Sequence, residues 1–445
     1  MRANLTLQRP NQNYDKLEIK AGYKQMLSNP EAYKTEMLNE FALTETSETE
    51  LTEALEEYQQ KYGDCFTKPQ IRYFEAFVKG SLSSLDRKSA EPIALHFMGE
   101  KQVRGLQNFF SRSTGWDEKL LQSYQKQLSN ELSTEDGFIS VDECGFVKKG
   151  AESVGVARQY CGTVGKRENS QSGVFVSYAS EKGYGIVDRK LYMPEKWFTD
   201  SFAEKRDTCQ VPEDVTFQTK NKMASQMLSD IINDGKFSIK WVGCDAAFGS
   251  DHSFLDGLPK SVYYFAAVKE KEYIFLSMPE VAIPESKKQG GKFKHPRALT
   301  APVHINTIAS DDSIPWKTRI IANGAKGPVI ADIKCVRCVA SRKVNKNLTF
   351  IPGDEIWVYI RRYEDGVIKY FISNAPADTT FETLDKLATM RWSIEQCFQE
   401  CKSFLGMDHY ETRSYAAWHR HMLLVMVAHL FTICLRNSLK KKESF

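Results

Sequence analysis

Apolar residues along the first third of the chain recur at the spacing of helices. From Lys68 onward, four of them fall on one helix face at three- and four-residue intervals. They are Ile71, Phe74, Phe77 and Val78. Residues 106–110 repeat this pattern, and Asp117 is the expected N-cap of a helix that runs toward Leu128. The pattern predicts a mostly helical segment over residues 1–135.

The pattern changes near Gly137, where short runs of β-branched and apolar residues begin. These runs lie at 138–141, 174–178, 190–193 and 237–244, and within 262–278, 303–321 and 355–373. Runs of this kind, separated by turn residues, are typical of strands. From Phe381 the pattern is helical again almost to the last residue. Helices, a strand-rich middle and final helices together predict an α/β fold.

Composition narrows the class of protein without indicating a function. The chain has 445 residues, of which 42% are hydrophobic and 26% are charged. These values exclude a small disulfide-rich scaffold, a collagen-like repeat and a wholly disordered chain. The 60 basic and 57 acidic residues give a net charge of +3, which is too small to indicate a nucleic-acid partner by itself. Such a partner has to be argued from local clusters of charge.

Several features favour a cytoplasmic protein that does not enter a membrane. Residues 1–5 do not lead into the apolar run of a signal peptide. The most apolar run, Met422–Cys434, is interrupted by His429 and is too short to cross a bilayer, so we expect a buried helix. The ten cysteines are mostly scattered singly, as in a reducing compartment. Cys335 and Cys338 have C-x-x-C spacing, but no second pair follows, which favours buried thiols over a zinc site.

Three carboxylates occupy positions that suit the binding of metal ions. Asp142 and Asp245 each follow a strand-like run directly, where side chains project into the crevice at a sheet edge. Glu395 lies in a helix that we expect from about Phe381 to Phe404. It shares one stripe of that helix with residues at three- and four-residue offsets. They are Arg391, Phe398 and Lys402.

Carboxylates in this arrangement are typical of phosphodiester chemistry. Hard cations such as Mg²⁺ prefer oxygen ligands, and two such ions can serve the attacking and leaving oxygens of an in-line displacement. Arg391 and Lys402 would then neutralise phosphates brought beside Glu395. Simpler interpretations remain open at this point. An Asp after a strand is often a turn or a helix cap, and Arg391 with Glu395 can be a surface ion pair.

The segment Arg391–Lys402 resembles the C-terminal signature of DDE transposases of insertion sequences. That signature is Tyr, two residues, Arg, three residues, Glu, six residues and Lys. Arg391, Glu395 and Lys402 match its spacing, whereas Ala388 stands at the Tyr position. Further segments, spread between about residues 80 and 436, resemble one branch, the seven-hundred-and-one insertion-sequence family. They are 142–150, 153–160, 191–197, 245–249, 373–376 and 405–413.

The resemblance implies which residues form the site. Asp142, Asp245 and Glu395 are the implied catalytic acids and metal ligands, for two Mg²⁺ ions that Mn²⁺ can replace. The family usually has Asp-Asp-Thr-Gly-Phe at the first acid, where this chain has Asp-Glu-Cys-Gly-Phe from Asp142 onward. Asp142 is therefore the acid kept in place, and Glu143 is a lesser candidate. The expected DNA contacts are the basic residues around these acids, namely Arg391, Lys402, Lys148, Lys149 and Arg158.

The resemblance also implies a ribonuclease-H-like core, in which helices flank a mixed sheet that brings the acids together. A strand-rich insertion between the second and third acids is part of that pattern. The long interval between Asp245 and Glu395 agrees with it, because several strand-like runs lie there. We expect four segments along the chain. They are a helical N-terminal DNA-binding domain at 1–135, the first part of the core at 136–260, the insertion at 261–378, and C-terminal helices completing the core at 379–445.

The implied function is that of a transposase. Such a protein binds the inverted-repeat ends of its insertion sequence and catalyses Mg²⁺-dependent DNA cleavage and strand transfer. Its partners would be double-stranded terminal-repeat and target DNA and a second copy of the chain in the synaptic complex, and it would associate with the nucleoid in a prokaryotic cytoplasm. Two alternatives stay open. They are a ribonuclease-H-like nuclease without strand transfer and a domesticated, non-catalytic DNA-binding protein.

Other polar and aromatic residues have weaker indications. Basic residues gather in the expected insertion at Lys287, Lys288, Lys292, Lys294, Arg297, Lys317, Arg319 and Lys326. A solvated loop and contact with a DNA backbone are equally consistent with them. Trp316 is expected in a core or hinge rather than stacked on a base. His419 and His421 are expected to pack or cap, since two-metal chemistry does not require a histidine base.

Overall fold

The computed structural model describes residues 45–283, 295–324, 327–344 and 349–443. Five of the basic positions expected in the insertion lie outside the described residues, namely Lys287, Lys288, Lys292, Lys294 and Lys326. The described part begins with helices, as the apolar pattern predicts. They are α1 (Glu45–Gln60), α2 (Lys68–Leu82), α3 (Ala90–Phe97), α4 (Val103–Ser111) and α5 (Asp117–Leu132).

Local chemistry and packing both stabilise the start of α2. The amide of Thr67 donates to Oε1 of Gln70 at 2.8 Å, as part of a capping box that satisfies amides at the helix start. Phe74 and Phe77, on the predicted apolar face, are fully buried. Burying an aromatic side chain of this size stabilises a fold by about 1.5–3 kcal/mol.

The expected N-cap at Asp117 is wrong by one residue. Trp116 holds the N-cap position without a side-chain hydrogen bond, and Asp117 is the first residue of α5. Oδ2 of Asp117 instead accepts a hydrogen bond from Nε of Arg420 at 3.1 Å. This partner lies 303 positions away in the chain. The Asp117 carboxylate therefore makes a tertiary contact instead of capping the helix.

Strands begin at Phe138. They are β1 (Phe138–Val147), β2 (Ala157–Cys161), β3 (Lys166–Ser180), β4 (Gly183–Tyr192), β5 (Trp241–Cys244), β6 (Tyr263–Val268), β7 (Tyr273–Phe275), β8 (Val281–Ala282), β9 (Arg297–Ala298), β10 (Val303–His304), β11 (Lys317–Gly324), β12 (Gly327–Lys343), β13 (Phe350–Tyr363) and β14 (Ile368–Ser373). The remaining helices are α6 (Ala203–Thr208), α7 (Lys220–Asp234), α8 (Ala246–Gly249), α9 (His252–Asp256), α10 (Asn306–Ser310), α11 (Phe381–Met390), α12 (Ser393–Phe404) and α13 (Tyr415–Glu443).

One large mixed sheet dominates the described chain. Its strand order is β10-β7-β12-β13-β14-β6-β5-β1-β3-β2, with β11 beside β12 and β4 beside β3. The neighbours β1, β5 and β6 run parallel, whereas β3 is antiparallel to β1 and β4 is antiparallel to β3. β14 pairs antiparallel with β6, so the strands of the expected insertion extend this same sheet. The prediction of an α/β fold is confirmed.

Two large hydrophobic clusters surround this sheet. The larger one includes Phe77 of α2, Trp116 before α5, Phe175 of β3 and Trp418 of α13. The N-terminal helices are therefore packed into the same core as the sheet and the last helix. A second cluster combines strand residues such as Phe265 with apolar side chains of α11.

The expected continuous helix from Phe381 to Phe404 is wrong. It is divided into α11 and α12 by a tight turn at Arg391 and Trp392, where the Trp392 amide donates to the Thr389 carbonyl at 3.2 Å. No proline or glycine occurs in this stretch, so the sequence carries no local signal for the break. As a consequence Glu395 lies in the first turn of α12, where the helix dipole favours a negative charge.

The last helix is longer than the one that the apolar run at Met422–Cys434 predicts. Residues Tyr415–Leu439 of α13 are long and apolar enough to cross a membrane by length and composition alone. Most of this stretch is nevertheless buried inside the protein, where α13 packs against β4, α2, α4 and α5. Full burial of Leu423 and Val427 is what a core helix requires.

The cysteines are thiols, as expected. All ten are free, and most are buried. Cys335 and Cys338 lie three positions apart on β12, so their side chains point to opposite faces of the sheet. Burial raises the pKa of both to about 12, which keeps them as thiols at neutral pH.

Candidate active site

Two acids lie side by side at one edge of the parallel strands. Val141 of β1 is the register partner of Cys244 of β5, and the next residue of each strand is Asp142 or Asp245. Because the two strands are parallel neighbours, both acids lie just beyond the same end of the β1–β5 pairing. The expected position just after a strand is confirmed for Asp245, which leaves β5 for α8, but it is wrong for Asp142, because β1 continues through this residue to Val147.

Backbone amides hold both of these carboxylates. Oδ1 of Asp245 accepts from the amides of Ala247 at 2.9 Å and Phe248 at 3.3 Å, so Asp245 is the N-cap of α8. Oδ1 of Asp142 accepts from the amide of Glu143 at 2.7 Å. In each case one carboxylate oxygen is fixed by the backbone, which sets the direction of the other.

Glu395 approaches from the helix that covers these strands. α12 packs against β1, β3 and β4, and Oε1 of Glu395 accepts a hydrogen bond from Nη2 of Arg391 at 2.8 Å. The Arg391 side chain is 15% exposed and that of Glu395 is 37% exposed. The ion pair considered as a surface alternative therefore exists, but its guanidinium is largely buried.

Burial and neighbouring charges change the pKa values of this cluster. Burial raises the pKa of Asp142 well above its usual value, and the negative charges of Asp245 and Glu395 raise it further. Burial also raises the pKa of Asp245, although the amides of its helix cap oppose the change. Arg391 acts in the opposite direction on both acids. Its own pKa is raised because the attraction of Glu395, Asp142 and Asp245 outweighs the cost of burying the guanidinium.

The three acids offer the type of ligand atom that a hard divalent cation prefers. Their carboxylates do not, however, converge on one point in this structure. Asp142, Asp245 and Glu395 all offer carboxylate oxygens, which are the donors that Mg²⁺ prefers. Within the ranges that the structure describes, no three His, Cys, Asp or Glu side chains converge closely enough to hold a metal ion. The positive charge beside these carboxylates is that of Arg391.

Glu143, the lesser candidate, has a different partner. Its Oε2 forms a close ion pair with Nζ of Lys220 at the start of α7. The Lys220 ammonium also lies 5.0 Å from the centre of the Tyr192 ring. Glu143 is thereby held by α7, while its neighbour Asp142 faces Asp245.

Lys402 and Lys148, two of the expected DNA contacts, are tied to the protein itself. Nζ of Lys402 donates to the Gly145 carbonyl at 3.0 Å and to Oγ1 of Thr163 at 3.2 Å. Nζ of Lys148 donates to the Tyr410 carbonyl at 3.2 Å and lies 3.4 Å from the centre of the Tyr410 ring. Burial lowers the pKa of Lys148 to about 8.

Lys149 and Arg158 are exposed, and Arg158 lies on a hairpin that carries several charged residues. β2 and β3 form this hairpin, and Tyr160 on β2, opposite Arg167 on β3, is 59% exposed. Arg158 and Tyr160 are two positions apart on one strand and therefore share a face. Sequence reasoning did not single out Tyr160, although this alternation of a basic and an aromatic residue could have indicated an exposed face that binds nucleic acid. Oγ1 of Thr163, in the hairpin turn, donates to the Gly145 carbonyl of β1 at 3.1 Å.

A buried polar cluster that fixes α12 also escaped sequence reasoning. Oε1 of Glu400 accepts from the Tyr184 hydroxyl at 2.6 Å, and its Oε2 pairs with Nε2 of His429 at 2.7 Å. Burial raises the pKa of Glu400, but His429, Tyr184 and Arg436 outweigh it and hold the pKa below its usual value. Glu400 lies on the same helix as Glu395, so β4 and α13 together position α12.

Four further residues of the sequence analysis make contacts within the protein. Trp316 packs near two cations, with Nζ of Lys334 at 4.7 Å and Cζ of Arg362 at 4.2 Å from its ring centre. Arg319 pairs with Glu382 and Asp385 of α11. Burial lowers the pKa of both His419 and His421 to about 3, so they are neutral packing residues, as expected.

Comparison with known proteins places the chain in a family. A family model described as DDE superfamily endonuclease matches residues 61–328, which is more than half of the chain and includes Asp142 and Asp245. A relative described as a probable transposase for insertion sequence element IS701, from Microchaete diplosiphon, is 27% identical over 226 residues. This match covers 49% of the chain and 55% of the relative, so the chain spans about half of that relative's length.

A search of solved structures gave a much more distant similarity. The NurA nuclease from Sulfolobus solfataricus matches over 73% of this chain and 92% of its own, with 10% sequence identity and a TM-score of 0.24. A similarity of this size supports no conclusion about fold or function. The two sequence matches, by contrast, confirm the resemblance to DDE transposases of insertion sequences. The chain belongs to the DDE superfamily endonuclease family.

Proposed function

We propose that this protein is a transposase that cuts DNA at the inverted-repeat ends of its insertion sequence and joins the freed ends to target DNA. The observation that supports it most is the pairing of Asp142 with Asp245 at the same end of parallel strands, with Glu395 in the helix above them. In a DDE superfamily endonuclease, such acids are the groups that can hold catalytic cations.

The strand order supports a ribonuclease-H-like core. The order β4-β3-β1-β5-β6, with an antiparallel half followed by a parallel half, gives such a core its mixed sheet. In this proposal the core comprises residues 136–260 and 379–445, and residues 261–378 form a strand-rich insertion. Residues 1–135 are the proposed DNA-binding domain that recognises the ends of the element.

The proposed chemistry assigns a role to each charged side chain. Asp142, Asp245 and Glu395 would hold two Mg²⁺ or Mn²⁺ ions through their carboxylate oxygens. Bound ions of this kind supply the charge that activates an attacking oxygen and stabilises a leaving one. The side chain of Arg391 binds the phosphate beside Glu395 through its planar guanidinium, and Lys402 adds a second positive charge on α12, the helix that carries Glu395. Water would cleave one strand first, and the freed 3′-hydroxyl would attack a second phosphodiester.

The proposed DNA path continues beyond the acids along the β2–β3 hairpin. Lys148 and Lys149 follow β1, and Arg158 lies on the exposed face of β2, so their charges line the route away from Asp142. Tyr160 is a large exposed ring among these cations, which suits stacking on an unpaired base. The partners in this proposal are terminal-repeat DNA, target DNA and a second copy of the chain, in a cytoplasm where the protein is associated with the nucleoid.

The test uses labelled duplexes that carry the DNA flanking the gene. With Mg²⁺ or Mn²⁺, the wild-type protein should cut at the repeat ends and produce joined strand-transfer products. Asp142→Asn, Asp245→Asn and Glu395→Gln should each abolish both products while DNA binding persists. Cutting without joined products would favour a nuclease of the same fold. Binding without any cation-dependent cutting would favour a domesticated DNA-binding protein.

A further inference from the structure

The ion pair between Arg391 and Glu395 has features that a routine helix pair lacks. Arg391 lies in the turn between α11 and α12, outside the regular helix, and only 15% of its side chain is exposed. Its Nη2 donates to Glu395 at 2.8 Å, while its buried Nε has no hydrogen-bond partner within the described part of the chain. A buried guanidinium with an unused donor is held by charge rather than by a complete set of hydrogen bonds.

The negative charges of the three acids explain why the Arg391 guanidinium stays in this buried position. Asp142 and Asp245 lie just beyond the same end of the β1–β5 pairing, and α12 brings Glu395 over β1. Burying several carboxylates together is unfavourable unless a positive charge accompanies them. Arg391 interacts electrostatically with all three acids and thus compensates their charge.

Other nearby cations are engaged elsewhere in the described structure. Lys402 donates to the Gly145 carbonyl and to Thr163, and Lys220 pairs with Glu143. Neither of these contacts is with Asp142, Asp245 or Glu395. The role of counter-ion to these acids therefore falls to Arg391.

A guanidinium in this position competes with a divalent cation. Both would be attracted by the same carboxylates, and they would repel one another at short range. A DNA phosphate offers Arg391 an alternative partner, because guanidinium binds phosphate oxygens through two parallel hydrogen bonds. A phosphate that draws Arg391 away from Glu395 would leave the acids free to take a cation.

We propose that Arg391 is a built-in counter-ion that keeps the affinity of the DNA-free protein for divalent cations low, and that DNA phosphate raises this affinity by engaging Arg391. The inference rests on the proposed function, since it takes the three acids as cation ligands. It adds a coupling between DNA binding and cation binding, and by linkage the cation strengthens phosphate binding by the same factor. Such a coupling restricts assembly of the cutting site to the DNA complex.

The test measures Mn²⁺ binding to the full chain by electron paramagnetic resonance, which counts free Mn²⁺ and does not depend on DNA cutting. Without DNA, Arg391→Gln should bind Mn²⁺ about tenfold more tightly than the wild type, a typical size for such a coupling. Arg391→Lys keeps the charge and should stay close to the wild type. Arg342→Gln, which removes a guanidinium paired with Asp256, is the matched control and should change nothing.

A second measurement begins with the wild-type protein, and this part of it holds even if Arg391→Gln fails to fold. A short duplex with ordinary phosphates should tighten Mn²⁺ binding to the wild-type protein, whereas a duplex with neutral methylphosphonates near the cut site should not. In Arg391→Gln the gain from the ordinary duplex should shrink by about tenfold. Unchanged or weaker Mn²⁺ binding by Arg391→Gln would overturn the inference, and so would equal effects of the two duplexes on the wild type.

Failure of the proposed function gives a different result. If Asp142→Asn and Asp245→Asn bind Mn²⁺ as the wild type does in the presence of DNA, the acids are not cation ligands and the proposed active site is wrong. If those variants lose Mn²⁺ binding but Arg391→Gln does not gain it, the active site stands and only the counter-ion role fails.

Discussion

The hydroxyl of Tyr184 on β4 donates a 2.6 Å hydrogen bond to the carboxylate of Glu400 on α12. The bond is mostly shielded from water, and His429 of α13 pairs with the other carboxylate oxygen. Glu400 follows Glu395 on the same helix, so this contact fixes the helix that carries the third proposed acid. Charge-assisted hydrogen bonds of this kind contribute about 1.5–3 kcal/mol.

Removing the Tyr184 hydroxyl should therefore reduce both stability and activity. We expect Tyr184→Phe to lower the free energy of unfolding by about 2 kcal/mol, measured by urea denaturation. DNA cutting should fall as well, because α12 loses one of its anchors. Tyr192→Phe on the same strand is the control, since its ring and not its hydroxyl faces Lys220. Equal stability of Tyr184→Phe and the wild type would show that the contact does not anchor α12.

The charge balance among the acids predicts opposite effects of two conservative substitutions. The pKa of Asp142 is raised in the folded protein by burial and by its acidic neighbours, so the folded state binds a proton more tightly than the unfolded state. The free energy of unfolding must then fall as pH rises from the ordinary aspartate pKa of about 4 through the raised value. Above that range the ionised Asp142 is a net cost to the fold.

Asp142→Asn should consequently stabilise the cation-free protein at neutral pH by about 1 kcal/mol, with the gain disappearing in acid. Glu395→Gln should do the reverse, because it removes the negative charge that lies 2.8 Å from the buried guanidinium of Arg391. Thermal unfolding across a pH series measures both effects. A destabilised Asp142→Asn at neutral pH would contradict the proposed repulsion among the acids.

The sequence pattern placed Asp245 correctly after the end of β5, whereas β1 continues past Asp142 to Val147. The two acids come together because β1 and β5 are parallel neighbours with Val141 opposite Cys244, a pairing between distant parts of the chain. The spacing from Arg391 to Glu395 gave a contact that the structure contains. Whether these residues act on DNA is still a prediction that the experiments above address.

Features set by contacts between distant parts of the chain could not be predicted. The turn that separates α11 from α12 occurs without proline or glycine, so nothing local announces it. Lys148 was expected to be free for phosphate, yet the Tyr410 ring and carbonyl that hold its ammonium lie 262 positions away. The prediction that Asp117 is an N-cap failed for the same reason, because its partner Arg420 is remote in sequence.

The lowered pKa of Lys148 predicts a pH dependence of DNA binding. With a pKa of about 8, the ammonium is charged at neutral pH and loses its proton as pH rises further. If Lys148 contacts a phosphate, wild-type affinity for duplex DNA should fall between about pH 7 and pH 9, while Lys148→Arg keeps its charge and should stay level. Fluorescence anisotropy at fixed salt gives both curves. Parallel curves for the two proteins would remove Lys148 from the proposed DNA path.

The exposed ring of Tyr160 provides the last test of that path. If it stacks on an unpaired base beside the proposed cutting site, Tyr160→Ala should weaken binding of end DNA with a single-stranded overhang by about 1–3 kcal/mol. Tyr160→Phe keeps the ring and should bind like the wild type. Phe404→Ala removes another exposed ring, 46% accessible at the end of α12, and controls for a general loss of aromatic surface. A blunt duplex should show little change in Tyr160→Ala, because its bases stay paired. Equal losses on blunt and overhanging DNA would mean that Tyr160 supports the hairpin rather than a base.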